Sequence, residues 1–136
     1  MVKITFTRAS FSKLLLFAAL IMLAACEKIE LGHSFDAGTG RKYRVSNSLS
    51  FTIDSLKDYR CPSDVMCFWS GDVELYFSIH KDFSKVDTTI YLLTRQNNPF
   101  RTGGYTFEIK DVLPHLKSGE SVKQEDYRIN MVITEK

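Results

Sequence analysis

Residues 72–80 read DVELYFSIH, and their hydropathy switches at every step. Val73, Leu75, Phe77 and Ile79 fall on one side of an extended chain, and Asp72, Glu74, Tyr76, Ser78 and His80 on the other. Successive side chains of a strand point to opposite faces, so this period of two predicts a strand with one buried and one wet face. The pattern recurs along the chain. Tyr43 and Val45 alternate with Lys42 and Arg44, and Leu49, Phe51 and Ile53 with Ser50, Thr52 and Asp54. Tyr105, Phe107 and Ile109 alternate again, as do Tyr127, Ile129, Met131 and Ile133. Residues 88–94 (TTIYLLT) add a β-branched apolar run. These make six strands, with a seventh expected over 28–33, and no helical stripe occurs beyond the N-terminal segment. Antiparallel sheets packed on one face produce such alternation. The expected fold is all-β, a single antiparallel β-sandwich of immunoglobulin-like size over residues 41–136, with a small β-barrel as the alternative.

The N-terminus sets the compartment. The chain opens MVKITFTRASFSKLLLFAALIMLAAC, with Lys3, Arg8 and Lys13 ahead of an uncharged apolar run from Leu14 to Leu23. That run of about ten residues is too short to cross a ~30 Å hydrocarbon core and has the length of a signal-peptide h-region. It ends in Leu23-Ala24-Ala25-Cys26, which resembles the lipobox of bacterial lipoproteins. The resemblance implies cleavage after Ala25 and lipid on the Cys26 thiol. An ordinary cleaved signal, or a short anchor helix with a chance cysteine, is the competing reading. Two or more acyl chains, at ~0.8 kcal/mol per buried methylene, anchor stably where one does not. Residues 1–25 are thus expected to be a signal peptide and 26–40 a lipidated cysteine with its tether, turning at Asp36–Gly40. The expected address is the bacterial cell envelope, with the lipid in a membrane, the outer one foremost, and the mature domain outside the cytoplasm. Residues 1–25 hold three of the 18 basic residues and none of the 16 acidic ones. The remaining 111 residues therefore carry 15 against 16, a net −1. Nothing in the sequence offers the basic run that nucleic acid requires.

Outside the reducing cytosol disulfides persist. With Cys26 given to lipid, Cys61 and Cys67 are an even pair with five residues between them, stiffened by Pro62. A disulfide closing so short a ring contributes on the order of 2 kcal/mol, against about 5–10 kcal/mol for a whole small domain. A zinc site wants four ligands, and His33, His80 and His115 are scattered. A redox thiol usually sits in CxxC beside a helix N-terminus. The staple is favoured over both of these and over a pair of free thiols.

The stretch Asp58-Tyr59-Arg60-Cys61-Pro62, followed by Val65, Cys67, Trp69 and Gly71, is similar to a D-S-R-C-P-x-x-V-x-C-x-W-x-G segment of small, largely uncharacterised bacterial lipoproteins and secreted domains. VELYFSI, GGYTFEI, Leu113-Pro114 and Asp126-Tyr127 extend the resemblance over roughly residues 48–134. Tyr59 stands where serine is usual, and Phe68-Trp69-Ser70 departs from the smaller residue usual in third place. The resemblance implies a β-sandwich and brings no catalytic or ligand site.

Within the motif, Arg60 and Asp58 are expected to pair across the loop or to bond free backbone groups of the turn. Trp69 is expected to pack over the disulfide and the sandwich end. The alternative makes Phe68 and Trp69, with Arg60, an exposed contact for a partner. Tyr127 is expected to be a tyrosine corner tied to the preceding link. No G-x-S-x-G, H-E-x-x-H or glycine-rich phosphate loop occurs. His80 reads as a solvated strand histidine and Glu125-Asp126 as a charged strand start rather than a calcium site. NNPFRTGGYTF (97–107) faintly resembles the binding loops of chagasin-like protease inhibitors, though order and spacing fit a hairpin better. No cofactor and no metal are expected. The expectation is a non-enzymatic, lipid-anchored module that binds a protein or another envelope component. An accessory subunit, or an inhibitor or enzyme, is the alternative.

Overall fold

A computed structural model describes residues 27–136; the expected signal peptide and Cys26 lie outside the described residues. The strands in chain order are β1 (Glu27–Lys28), β2 (Ser34–Ala37), β3 (Lys42–Arg44), β4 (Leu49–Asp58) and β5 (Val73–Lys81). They continue with β6 (Ser84–Tyr91), β7 (Phe100–Thr102), β8 (Tyr105–Leu113) and β9 (Arg128–Glu135). Sheet A has the order β1-β3-β4-β5-β6 and sheet B the order β2-β9-β8-β7. The two sheets share no strand and enclose one core, so the molecule is a β-sandwich and not a closed barrel. Among the described residues no helix is long and apolar enough to cross a membrane.

The alternation that predicts the strands also fills the core. Tyr43, Phe51, Ile53, Leu75, Phe77 and Ile90 reach inward from sheet A, and Phe107, Ile109, Val112, Ile129, Met131 and Ile133 from sheet B. Phe51 stands at the centre. Its ring stacks on Tyr43 at 5.2 Å, lies 5.9 Å from Phe77 and meets Phe107 of the other sheet edge-on at 5.5 Å. Phe107 in turn stacks on Phe100 at 4.7 Å. Such aromatic pairs add about 0.5–1.5 kcal/mol each beyond the area they bury.

Two bulges reset the phase of the longest strands. The β4–β5 register shifts between Ile53 and Ser55, and the β8–β9 register between Ile109 and Asp111. An inserted residue moves every later side chain to the other face. Leu56 and Val112 are therefore buried, three positions after Ile53 and Ile109. Asp58, two residues beyond Leu56, has its side chain turned into the protein at 3% exposure. Asp54, at the first bulge, is exposed and accepts a hydrogen bond from the Ser78 hydroxyl on the outer face.

Several expectations change. Residues 26–40 are expected to be a tether, but 27–37 contribute two strands. β2 pairs with β9 from Ser34↔Val132 to Ala37↔Ile129, and Ala37 is fully buried. The sandwich is not wholly antiparallel, because β1 lies parallel to β3 (Glu27↔Tyr43, Lys28↔Arg44). The run 88–94 is not a strand as a whole: β6 starts at Ser84 and stops at Tyr91, after which Leu92 to Thr94 leave the sheet. In the NNPF stretch the buried Asn98 side chain accepts from the Ile109 N–H at 2.9 Å and donates to the Ile109 carbonyl at 3.0 Å. That amide stands in for a ladder partner beside the β8 bulge, and Gly103-Gly104 form the β7–β8 turn.

Phe51→Ala leaves a void that neither sheet can close. The expected loss is about 3–5 kcal/mol in denaturant unfolding, the usual cost of a buried phenylalanine. A loss below about 1 kcal/mol would show that Phe51 is not the centre of the core.

Candidate functional site: the disulfide-closed loop

The link between β4 and β5, residues 59–72, leaves one end of the sandwich. Its neck continues the β4–β5 ladder. The Tyr59 N–H donates to the Asp72 carbonyl at 2.8 Å, and the Cys61 N–H to the Ser70 carbonyl at 2.9 Å. Beyond the second rung Cys61 and Cys67 are joined as a disulfide, with Cα atoms 5.9 Å apart. Among the described residues no group of three or more histidine, cysteine or acidic side chains is placed to hold a metal.

Asp58 and Arg60 form the base. The Arg60 Nε donates to Asp58 Oδ1 at 2.9 Å and its Nη2 to Oδ2 at 2.6 Å, a two-pronged pair with side chains 8% and 3% exposed. The remaining guanidinium protons cross to the other sheet. Nη1 donates to the Val112 carbonyl at 2.7 Å and lies 3.1 Å from His115 Nδ1, while Nη2 donates to the Pro114 carbonyl at 2.9 Å. A planar fork satisfies a carboxylate and two carbonyls at once, which a lysine ammonium does not. The pairing expected from the sequence is present. Arg60 as a partner-binding residue is corrected: its charge is spent inside the protein, where it ties the end of β4 to the end of β8. Tyr127 is corrected too. Its hydroxyl points at Asp58 Oδ2 at 3.5 Å, not at the preceding link, and burial beside that carboxylate pushes the phenol above its ordinary pKa.

The far side of the neck rests on Gly71 and Asp72. Gly71 has φ +70°, and a Cβ there would fall 1.8 Å from the Tyr59 carbonyl oxygen, so the last position of the motif admits only glycine. Asp72 accepts from the N–H groups of Val73 and Leu93 through Oδ1, and from the Thr94 N–H and hydroxyl through Oδ2. These bonds explain why β6 ends at Tyr91, since Leu93 and Thr94 fold over the carboxylate. Further support comes from the 114–118 link. The Ser63 N–H donates to the Leu116 carbonyl at 2.9 Å, and the Ser118 N–H to Asp64 Oδ1 at 2.7 Å.

The outer turn has no such support. Met66 and Phe68 are completely exposed, Trp69 is 74% exposed, and Tyr59 and Val65 are about half exposed. The expectation that Trp69 packs over the disulfide is therefore overturned, and the exposed alternative is what the structure contains. Neck and disulfide already close the sandwich end without the indole. Met66 belongs to the same patch, although nothing in its spacing marks it out. Phe68, Trp69 and Met66 make an apolar surface fixed by backbone and sulfur bonds rather than by their own packing.

Comparison of the chain with protein-family models, with curated proteins and with solved structures finds no match.

Burial pushes the Asp72 carboxyl up, but the Thr94 hydroxyl and the N–H groups of Leu93, Thr94 and Val73 outweigh it and hold the group below the usual carboxylate value. An acid lowered on folding adds stability that is complete above its unfolded value, about 3.9, and is lost as pH falls through the folded one. Asp72→Asn is expected to cost about 1.5–3 kcal/mol at neutral pH, with the difference from the parent shrinking in urea unfolding below about pH 3. An equal difference at both pH values would show that the charge at Asp72 is not what holds the neck.

Proposed function

We propose that the chain is a non-enzymatic, lipid-anchored protein of the bacterial cell envelope that docks a partner protein through the loop at residues 61–70. The observation that carries this reading is the exposure of Met66, Phe68 and Trp69 on a loop whose neck is fully bonded. Large apolar side chains are rarely left in water together unless something covers them. Aromatic residues dominate interface energetics, and a contact held rigid before binding loses little entropy on docking.

Charge favours a protein over a membrane surface as the occupant. Surface-binding segments pair their apolar residues with lysine or arginine. Between Cys61 and Gly71 the only charged residue is Asp64. Ser63, Asp64 and Ser70 supply instead the polar rim of a small interface. The sheet edges support the loop over edge-to-edge assembly. β1, β2 and β7 are two, four and three residues long, and β6 exposes Ser84, Lys85 and Asp87. Short or charged edges resist pairing. The lipid anchor rests on Cys26 and its lipobox resemblance, and β1 begins at the next residue, which would hold the domain close to the membrane.

The test uses a photo-crosslinking residue in the full chain, expressed in its own envelope. At position 68 it is expected to yield one discrete protein adduct that Trp69→Ser abolishes and that a probe at position 83, on the opposite end, does not give. Cys26→Ser is expected to release the chain from membranes. Adducts to lipid alone, or the same adduct from both positions, would overturn the docking role, and membrane retention of Cys26→Ser would overturn the anchor.

A further inference from the structure

The outer face of sheet A is divided. From the loop end to the middle of the sheet its polar groups satisfy one another: the Tyr76 hydroxyl donates to Glu74 and the Ser78 hydroxyl lies between Asp54 and Asp87, while Lys85, opposite His80 on the edge strand, is drawn to Asp87 at 3.1 Å. At the other end, where the turns at 46–48 and 82–83 meet, an open cavity of about 670 Å³ is floored by β3, β4 and β5.

Sheet register builds this cavity. Arg44 pairs with Ser50, and Ser50 with His80, so the three stand in one row across adjacent strands. Each neighbours a buried core residue (Tyr43, Leu49 and Phe51, Ile79), which turns all three to the outer face. Lys42 lies one step along β3 on the same face. The short Ser50 side chain between the longer Arg44 and His80 makes the hollow, and Asn47, Asp82 and two further serines wall it. Among the described residues, none of the lining polar side chains takes part in a hydrogen bond or ion pair within the protein. The lining carries Lys42, Arg44 and the His80 imidazole against a single carboxylate, Asp82.

We propose that this cavity binds an anionic sugar. A phosphate or carboxylate group sits between Lys42, Arg44 and His80, and the hydroxyl groups of the ring are received by the serines, Asn47 and Asp82. The arginine fork matches the oxygens of either anion, with lysine as a second point charge. Serine hydroxyls and the asparagine amide both donate and accept, and the Asp82 carboxylate accepts, as a polyol requires. The fully exposed Phe83 follows Asp82 at the hairpin tip and offers an apolar edge beside the opening. The same chemistry occurs in a free sugar acid or phosphate and in the headgroup of a glycolipid. This site lies at the end of the sandwich away from the loop, and it stands whether or not the loop docks a protein.

The test follows the amide resonances of Ser50 and His80 in the full chain, held in a neutral polyoxyethylene detergent. Glucose 6-phosphate and galacturonic acid are expected to give saturable shifts, with glucose at least tenfold weaker. Lys42→Gln with Arg44→Gln, both on exposed positions, is expected to weaken both anions at least tenfold. Displacement of glucose 6-phosphate by phosphatidylglycerol mixed into the detergent micelles, and not by phosphatidylcholine mixed in likewise, would assign the anion to a lipid headgroup. Displacement by neither would assign it to a free saccharide, and the site stands in both cases. No saturable shift with either anion, equal affinity for glucose, or an unchanged double variant would overturn the proposal.

Discussion

The Asp58–Arg60 pair is the joint on which this end of the molecule depends. Two sheets stacked through apolar side chains are free to splay at their rims, where the core thins and water enters. Here a guanidinium held by its own strand's carboxylate reaches across and binds the Val112 and Pro114 carbonyls of the facing sheet. Its geometry is fixed twice over by bulges. The insertion at Asp54 turns Asp58 inward, and the shift at Ile109/Asp111 keeps Val112 on the core side. An ion pair this buried adds little by comparison with a well-packed apolar pair, but removing one partner strands the other at a cost of about 3–5 kcal/mol. Its value therefore lies in fixing one arrangement of the two sheets.

Everything beyond the joint follows from a neck that needs no help from the loop it carries. The two ladder rungs, the Gly71 contact with Tyr59, the four bonds to Asp72 and the Cys61–Cys67 bond hold the chain on both sides. The aromatic residues at the tip are thus released from any structural duty. The opposite end has a different character: polar, concave and cationic, built from strand register and small side chains. A sandwich with an apolar projection at one pole and a hydrophilic cavity at the other has two surfaces suited to unlike partners.

The strands with strict alternation were legible in the sequence because inward and outward residues differ so clearly in polarity, as in DVELYFSIH. The disulfide was legible from the compartment that the N-terminal segment leads one to expect and from parity, and the Asp58–Arg60 pair from charge at short spacing. What escaped the sequence lies where a long-range contact overrides a local pattern. Leu92 and Leu93 look like strand residues, yet the carboxylate of Asp72 draws the chain away. β2 alternates over only four residues, Ser34 to Ala37, too short a run to stand out, and it exists because β9 offers it an edge. Trp69 resembles a core residue by type, and only the completeness of the neck leaves it outside. The cavity is invisible in one dimension because Arg44, Ser50 and His80 meet only through register.

The central claim is that Phe68 and Trp69 hold nothing in the isolated fold. It is tested most directly by denaturant unfolding, followed by circular dichroism, of a chain carrying Phe68→Ser and Trp69→Ser. Surface positions of this kind change stability by no more than about 0.5 kcal/mol, so the variant should unfold at the parent's midpoint. A loss of about 3 kcal/mol or more would mean that the two rings are part of the core, and the loop would no longer be a surface made for contact.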